Sequence, residues 1–94
     1  MAICATVVGS KGSDPGQFRN PRGVAVDAEG NLVVADSSNR RVQVLRPDGS
    51  HVRTIGGSQG SGPGQFNIPC GVAVDAAGNL VVADRGNHRV QVLR

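Results

Sequence analysis

A tandem repeat constrains this sequence more than any other feature. When the chain is shifted by 48 residues, residues 1–46 align with residues 49–94 without a gap, and 30 of the 46 pairs are identical. Repeats of this length are single supersecondary units that bury their apolar surfaces by stacking against neighbouring units. Two units leave two outer faces uncovered, so we expect the chain to associate with further copies of itself.

Each repeat has the sequence pattern of a small antiparallel sheet. Short runs rich in valine and leucine alternate with turn sequences such as Gly30-Asn31 and Pro47-Asp48-Gly49, which are typical of β-hairpins. The sequence therefore predicts an all-β protein. The predicted strands are residues 23–27, 32–36, 41–45 and 51–55 in the first repeat, and residues 71–75, 80–84 and 89–93 in the second.

The chain begins with a strand that its second repeat lacks. Residues 2–8 align with residues 50–56, which contain the fourth strand of the first repeat. We therefore predict three segments. They are an outer strand at 1–8 that completes the C-terminal unit of a neighbouring chain, a first unit with its preceding loop at 9–56, and a second unit without its outer strand at 57–94.

Both repeats contain the pattern D-x-x-N-x-R-V-Q-V, at residues 36–44 and 84–92. This pattern resembles the core of an NHL repeat, which forms one four-stranded antiparallel blade of a β-propeller. Propellers protect their strand edges by repeating such blades around a ring. NHL-type propellers typically have six blades, so the resemblance implies a homotrimer of two-blade chains that closes by strand exchange. A dimer and a tetramer are the alternatives.

Three polar residues of each repeat are candidates for a structural network. An Asp and an Arg that flank a tight loop can form an ion pair, and an Asn can satisfy the loop backbone. These residues are Asp36, Asn39, Arg41, Asp84, Asn87 and Arg89. We also predict that Phe18 and Phe66, one in each long Gly- and Pro-rich loop, anchor these loops to the core.

The loops at one end of the predicted strands carry an excess of positive charge. This surface has seven basic and three acidic side chains, a net charge of +4, whereas the opposite surface has a net charge of −2. Positive surfaces attract nucleic acids, and NHL propellers of one animal group bind single-stranded RNA on the corresponding surface. The side chains that the predicted network leaves free are Lys11, Arg19, Arg22, Arg40, Arg85 and His88.

Composition argues against base stacking and against catalysis. The chain has two Phe and no Trp or Tyr, although base stacking is a main contribution to single-strand binding. Some NHL-like propellers are metal-dependent lyases, but a catalytic zinc site needs about three protein ligands. The two histidines, His51 and His88, are predicted at opposite ends of their blades. We therefore expect no enzyme activity, no metal site and no cofactor.

The two cysteines occupy unrelated positions in the repeat. We predict that Cys4 lies in the outermost strand and Cys70 in the loop that enters the innermost strand, too far apart for a disulfide, so both should stay reduced. No apolar run approaches the roughly 18 residues of a membrane span, and the N-terminus lacks the features of a signal peptide. The sequence predicts a cytoplasmic or recombinant protein.

Two functions follow from these observations. The identity between the repeats favours a recent duplication or an engineered or reconstructed sequence, and we therefore favour a self-assembling structural scaffold. The alternative is a fragment of an NHL domain that binds single-stranded RNA or a protein partner through its basic surface.

Overall fold

The computed structural model describes residues 7–58 and 60–94, which form two antiparallel sheets. The predicted all-β class is confirmed, and each of the seven strands lies at or near its predicted position. The first sheet has the order β1-β2-β3-β4 and the second the order β5-β6-β7. The strands are β1 (Pro21–Val26), β2 (Leu32–Asp36), β3 (Arg41–Leu45), β4 (His51–Gly56), β5 (Pro69–Val74), β6 (Leu80–Asp84) and β7 (Arg89–Leu93).

The innermost strands begin two residues earlier than predicted. The pairing register shifts between Pro21 and Gly23 in β1, and between Pro69 and Gly71 in β5. Such a bulge lets one extra residue enter a strand at its end. Cys70 therefore lies within β5 and not in the preceding loop, and its Sγ is 3.7 Å from the carbonyl oxygen of Ala83.

The same strands end one residue earlier than predicted because an aspartate starts each turn. Asp27 Oδ1 accepts hydrogen bonds from the backbone N–H groups of Glu29 (2.9 Å) and Asn31 (2.8 Å). Asp75 makes the equivalent bonds to Ala77 and Asn79, each 2.9 Å long. Such Asp-centred turns compete with strand pairing for the local backbone.

The predicted N-terminal strand falls largely outside the described residues. Residues 1–6, including Cys4, are among those not described, and Val7 and Val8 do not belong to a strand. Within the described part of the chain, the first sheet has four strands and the second has three, with β7 at its outer edge.

Each sheet has two faces, because successive side chains of a strand point to opposite sides. We call the side that carries Ala25, Val33, Val42 and Val44 the back face of the first sheet. The equivalent back face of the second sheet carries Ala73, Val81, Val90 and Val92. The opposite sides are the front faces, with Val24, Val26, Leu32 and Val34 in the first sheet and Val72, Val74, Leu80 and Val82 in the second.

The core lies where the back face of the first sheet packs against the front face of the second. Val33, Val42 and Val44 of the first sheet are buried together with Leu80 and Val82 of the second. Phe66 of the loop before β5 belongs to the same cluster. Apolar burial of this kind is the main favourable contribution to folding.

The innermost strands of the two sheets approach each other closely. A Cβ atom at Gly23 would lie 3.0 Å from the carbonyl oxygen of Cys70 and 3.1 Å from Cα of Gly71. These distances are shorter than ordinary van der Waals contacts, so β1 approaches β5 this closely only because residue 23 has no side chain.

Candidate functional site

The connections between the second and third strands of each sheet are single turns of 3-10 helix. They span Ser37–Asn39 and Arg85–Asn87. Each ends in a residue with left-handed backbone, Arg40 (φ 53°) and His88 (φ 54°). These turns bring the predicted network residues of each repeat to one end of the sheet, beside the long loop that precedes it.

Asp36 is the centre of the network in the first repeat. Its side chain is fully buried. Oδ1 accepts a 2.7 Å hydrogen bond from the backbone N–H of Arg19, and Oδ2 accepts bonds from Arg41 Nε (2.8 Å) and Asn39 Nδ2 (3.0 Å). A buried carboxylate needs such donors because burial removes its water.

Arg41 connects strand β3 to the long loop. Its Nη1 donates to the carbonyl oxygen of Ser13 at 2.8 Å, and its Nη2 donates to the carbonyl oxygens of Asp14 (3.1 Å) and Gln17 (2.8 Å). A planar guanidinium can hold several acceptors at fixed angles. The loop is therefore held by one side chain that is itself oriented by Asp36.

A fourth network residue, Gln43, was not identified from the sequence. Its side chain is fully buried; Nε2 donates to the carbonyl oxygen of Gln17 at 2.7 Å, and Oε1 accepts from the N–H of Gly16 at 2.9 Å. Gln91 makes the equivalent bonds to Gln65 and Gly64. The sequence did contain a signal for this role, since a Gln recurs between two valines in both repeats. A polar side chain in a buried strand must be hydrogen-bonded, so this Gln needed a partner.

The second repeat contains the same network with a longer ion pair. Asp84 Oδ2 lies 3.4 Å from Arg89 Nε and accepts a 2.9 Å bond from Asn87 Nδ2. Burial acts to raise the pKa of Asp84, but hydrogen bonds from the N–H groups of Asn67 and Ile68 and from the side chains of Asn87 and Arg89 outweigh it. The pKa of this carboxyl is therefore lowered below its usual value.

The free charge on the loop surface is positive. The two buried aspartates are paired with Arg41 and Arg89, and Asp14 is an exposed acid on this surface. Five of the six predicted free basic residues are exposed, and Arg40 is half-buried. The exposed ones are Lys11, Arg19, Arg22, Arg85 and His88.

These six residues do not form one tight cluster. Lys11 and Arg19 line a cavity of about 690 Å³ together with Phe18 and Asn20. Arg22 lies within β1 and lines a second cavity on the front face. Arg85 and His88 belong to the 3-10 turn of the second sheet and its cap.

The two phenylalanines differ in their surroundings. Phe66 is fully buried between the sheets, as a loop anchor would be. Phe18 is half-buried and lines the larger cavity. Neither ring is fully exposed on the loop surface for stacking on a base.

The described residues contain no group of three His, Cys, Asp or Glu side chains that could hold a metal ion. His51 begins β4, where its Nε2 lies 2.7 Å from Thr54 Oγ1, and His88 follows the turn at the opposite end of its sheet. No helix in the described part of the chain is long and apolar enough to span a membrane.

Small four-stranded antiparallel sheets that pack face to face are the blades of a β-propeller. The NHL repeat profile matches this chain twice, at residues 18–45 and 66–93. The chain therefore belongs to the NHL-repeat family, and each match covers the first three strands of a sheet with the Asp, Asn, Arg and Gln side chains of the network.

The curated relatives are much longer proteins. The chain is 52% identical over 42 residues to the E3 ubiquitin-protein ligase TRIM71 of Rattus norvegicus and equally similar to that of Mus musculus. It is 45% identical over 42 residues to tripartite motif-containing protein 2 of Bos taurus. Each match covers 45% of this chain but only 5% or 6% of the relative.

Proposed function

We propose that this chain is a non-catalytic binding module whose basic loop surface binds single-stranded RNA through the phosphate backbone. The observation that carries the proposal is the pairing of the buried acids. Because Asp36 and Asp84 are neutralised by Arg41 and Arg89, the exposed side chains that remain on this surface are mainly basic. Membership of the NHL-repeat family supports it, since NHL propellers of one animal group bind single-stranded RNA on the corresponding surface.

The loop network supports binding by making the surface rigid. Arg41 and Gln43 hold the backbone of the long loop at Gly16 and Gln17, and the same arrangement recurs in the second repeat. Groups that are already fixed before binding lose less conformational entropy when the partner arrives. The loops therefore present Lys11, Arg19 and Arg85 from a framework that need not rearrange.

The side chains favour phosphates over bases. Exposed Arg and Lys neutralise phosphate charge and release counterions, so such binding weakens as salt increases. Stacking on bases would need exposed aromatic rings, and both phenylalanines are partly or fully buried. We therefore expect binding that is strongly dependent on salt and only weakly dependent on RNA sequence.

Fluorescence anisotropy with a labelled single-stranded RNA over a salt series tests this proposal. For single strands, the slope of log K against log [salt] is about 0.7 for each phosphate neutralised. Arg85→Ala should weaken binding and reduce this slope by about 0.7. Arg46→Ala is the matched control, because Arg46 is an exposed arginine in the β3–β4 turn at the opposite end of the sheet.

Absence of RNA binding at low salt would refute the RNA proposal. Equal losses for Arg85→Ala and Arg46→Ala would show that binding does not involve the loop surface. If RNA does not bind but an acidic protein segment does, and Arg85→Ala weakens that binding, the surface is a protein-binding site.

A second function, a self-assembling structural scaffold, is supported by a different observation. The front face of the first sheet and the back face of the second each expose valines, with Val24 64% and Val90 63% exposed, although Val34 of the front face is buried. The 30 identities among 46 repeat pairs support a recent duplication or an engineered sequence. Assembly would use mainly the sheet faces, and these meet the basic loop surface at the two cavities lined by Lys11, Arg19 and Arg22.

A further inference from the structure

The two open faces carry the same side chains as the two faces that form the core. The open front face, on which Val24 and Val26 are exposed and Val34 is already buried, carries Val24, Val26, Leu32 and Val34. They are repeated as Val72, Val74, Leu80 and Val82 in the closed interface. Ala73, Val81, Val90 and Val92 of the open back face are likewise repeated as Ala25, Val33, Val42 and Val44. The open pair is thus chemically the same as the closed pair.

Exposure differs sharply between four equivalent pairs of valines, whereas Val34 and its equivalent Val82 are both buried. Val42 and Val44 are 0% and 2% exposed in the closed interface, whereas Val90 and Val92 are 63% and 47% exposed on the open back face. On the front faces, Val24 and Val26 are 64% and 60% exposed. Their equivalents in the second sheet, Val72 and Val74, are partly buried and pack against the core cluster.

Both cavities lie where the first sheet lacks a neighbour. The larger one, about 690 Å³, is lined by Phe18, whose equivalent Phe66 is fully buried against the first sheet. The smaller one, about 450 Å³, is lined by Pro21, Gly23 and Val34. The equivalent Pro69 is buried in the closed interface. In the second repeat the equivalent positions are filled by the first sheet. The cavities therefore mark where the first sheet has no such neighbour.

The closed interface also shows what would fill the larger cavity. A Cβ atom at Gly56 would lie 2.8 Å from Phe66 Cδ2 and 2.9 Å from the carbonyl oxygen of Arg40. The end of the preceding outer strand thus lies against Phe66, and the turn before β3 lies beside that strand end. The residue equivalent to Arg40 is His88, which lies at the exposed turn of the second sheet.

We propose that the back face of the second sheet of one copy docks on the front face of the first sheet of a second copy. This contact is continuous with the interface within the chain and repeats it. Val90 and Val92 of one copy take the position of Val42 and Val44, and the turn at His88 comes to the side of the next copy that carries Phe18. The glycine pair also recurs, with Gly71 of one copy beside Gly23 of its neighbour.

The docking is head-to-tail, because each copy contributes one front and one back face. Head-to-tail interfaces form rings when the rotation closes and filaments when it does not. With the six blades typical of NHL propellers, three copies complete the ring. Sedimentation equilibrium of the 94-residue chain should then give three times the chain mass of 9.6 kDa.

A mixing experiment tests the direction of the contact. Val24→Asp removes only the front face, and Val90→Asp removes only the back face. Each variant alone should be monomeric, because the intact face of one copy meets only the mutated face of another. An equimolar mixture should form a 1:1 pair by native mass spectrometry and nothing larger, because only one contact remains available. Ala28→Asp, in the exposed β1–β2 turn, should retain the mass of the parent.

A folded monomer of the parent chain would overturn the proposal and would indicate that another partner covers these faces. Retention of the parent mass by Val24→Asp or Val90→Asp would overturn it as well. If the aspartate variants do not fold alone or in the mixture, the smaller change Val90→Thr serves instead. Its association constant should be about 5- to 150-fold below that of the parent, since a buried hydroxyl without a partner costs about 1–3 kcal/mol.

Discussion

At the scale of single residues, the two buried aspartates occupy equivalent positions in unequal surroundings. The Asp36 and Arg41 side chains are 0% and 10% exposed, and their ion pair is 2.8 Å long. The Arg89 side chain is 30% exposed, and its ion pair with Asp84 is 3.4 Å long. Removing one partner from a buried pair leaves a desolvated charge, whereas water screens a more exposed one. The same substitution should therefore have different consequences in the two repeats.

We expect Asp36→Ala to destabilise the protein by about 3–5 kcal/mol, because Arg41 would remain buried without its carboxylate. Asp84→Ala should cost less, about 1–3 kcal/mol, since Arg89 can reach water while the loop N–H groups lose an acceptor. Chemical denaturation of both variants at the same protein concentration measures the difference. Equal losses of unfolding free energy in the two variants, or no loss in either, would contradict this prediction that the more buried ion pair contributes more to stability.

The lowered pKa of Asp84 predicts a pH dependence. A carboxyl whose folded pKa lies below its unfolded value of about 3.9 stabilises the protein fully above that pH, and this contribution is lost as the pH falls through the folded pKa. The free energy of unfolding of the parent minus that of Asp84→Asn should be constant from about pH 5 to pH 7 and should decrease below about pH 4. A difference that stays constant down to pH 2 would show that Asp84 does not titrate as described.

At the scale of elements, the strands follow from local pattern, but the contacts between elements do not. Valine-rich runs and hairpin turns predicted all seven described strands and the class of fold. The bulges at Arg22 and Cys70 were missed because they depend on how β1 and β5 align with their partner strands. Gln43 was missed because its role is set by the long loop, which is more than 20 residues away in the sequence.

The candidate site was predictable in composition but not in arrangement. The Asp, Asn and Arg of each repeat were identified from their fixed spacing, and the structure brings the Asn and the Arg within hydrogen-bonding distance of the Asp. The spacing did not reveal that Arg22 and Phe18 lie beside the open front face. That placement depends on the packing of whole sheets and not on the residues near it in sequence.

The connection between β3 and the long loop gives a further prediction. Arg41→Lys retains the charge but cannot donate to Asp36 and three loop carbonyl groups at once. Hydrogen exchange of the amides in residues 12–18 should become about tenfold faster or more, which corresponds to a loss of about 1.4 kcal/mol of local protection. Arg53→Lys, in the exposed outer strand β4, is the control and should leave these amides unchanged.

At the scale of the whole molecule, one chain contains one complete contact between blades and half of two more. The closed contact buries Val42 and Val82 fully, whereas the two outer faces leave Val24 and Val90 largely exposed. Association would bury these faces and stabilise the folded chain by mass action, so stability and assembly are coupled. The basic loop surface lies at one end of the sheets and meets these faces only at the cavities lined by Lys11, Arg19 and Arg22. An assembly would therefore present several copies of its remaining basic residues, such as Arg85, together.

Several equivalent RNA-binding surfaces on one assembly would act together on a long strand. Linked sites bind a second segment of the same ligand at a high effective concentration, which increases the apparent affinity without any new contact. The mixing experiment therefore separates the two proposals, because the capped 1:1 pair retains the basic loops but carries fewer of them than the complete ring.

The strand order within each sheet also determines how quickly the chain can fold. Every hydrogen-bonded neighbour in the orders β1-β2-β3-β4 and β5-β6-β7 is the next strand along the chain, so each sheet forms through short loop closures. Chains dominated by such local contacts fold faster than chains whose strands pair over long distances. The glycine contact between residues 23 and 71 spans a full repeat, which places sheet docking after hairpin formation. Folding would then begin independently in each repeat, and the slow, concentration-dependent phase would be the encounter between copies.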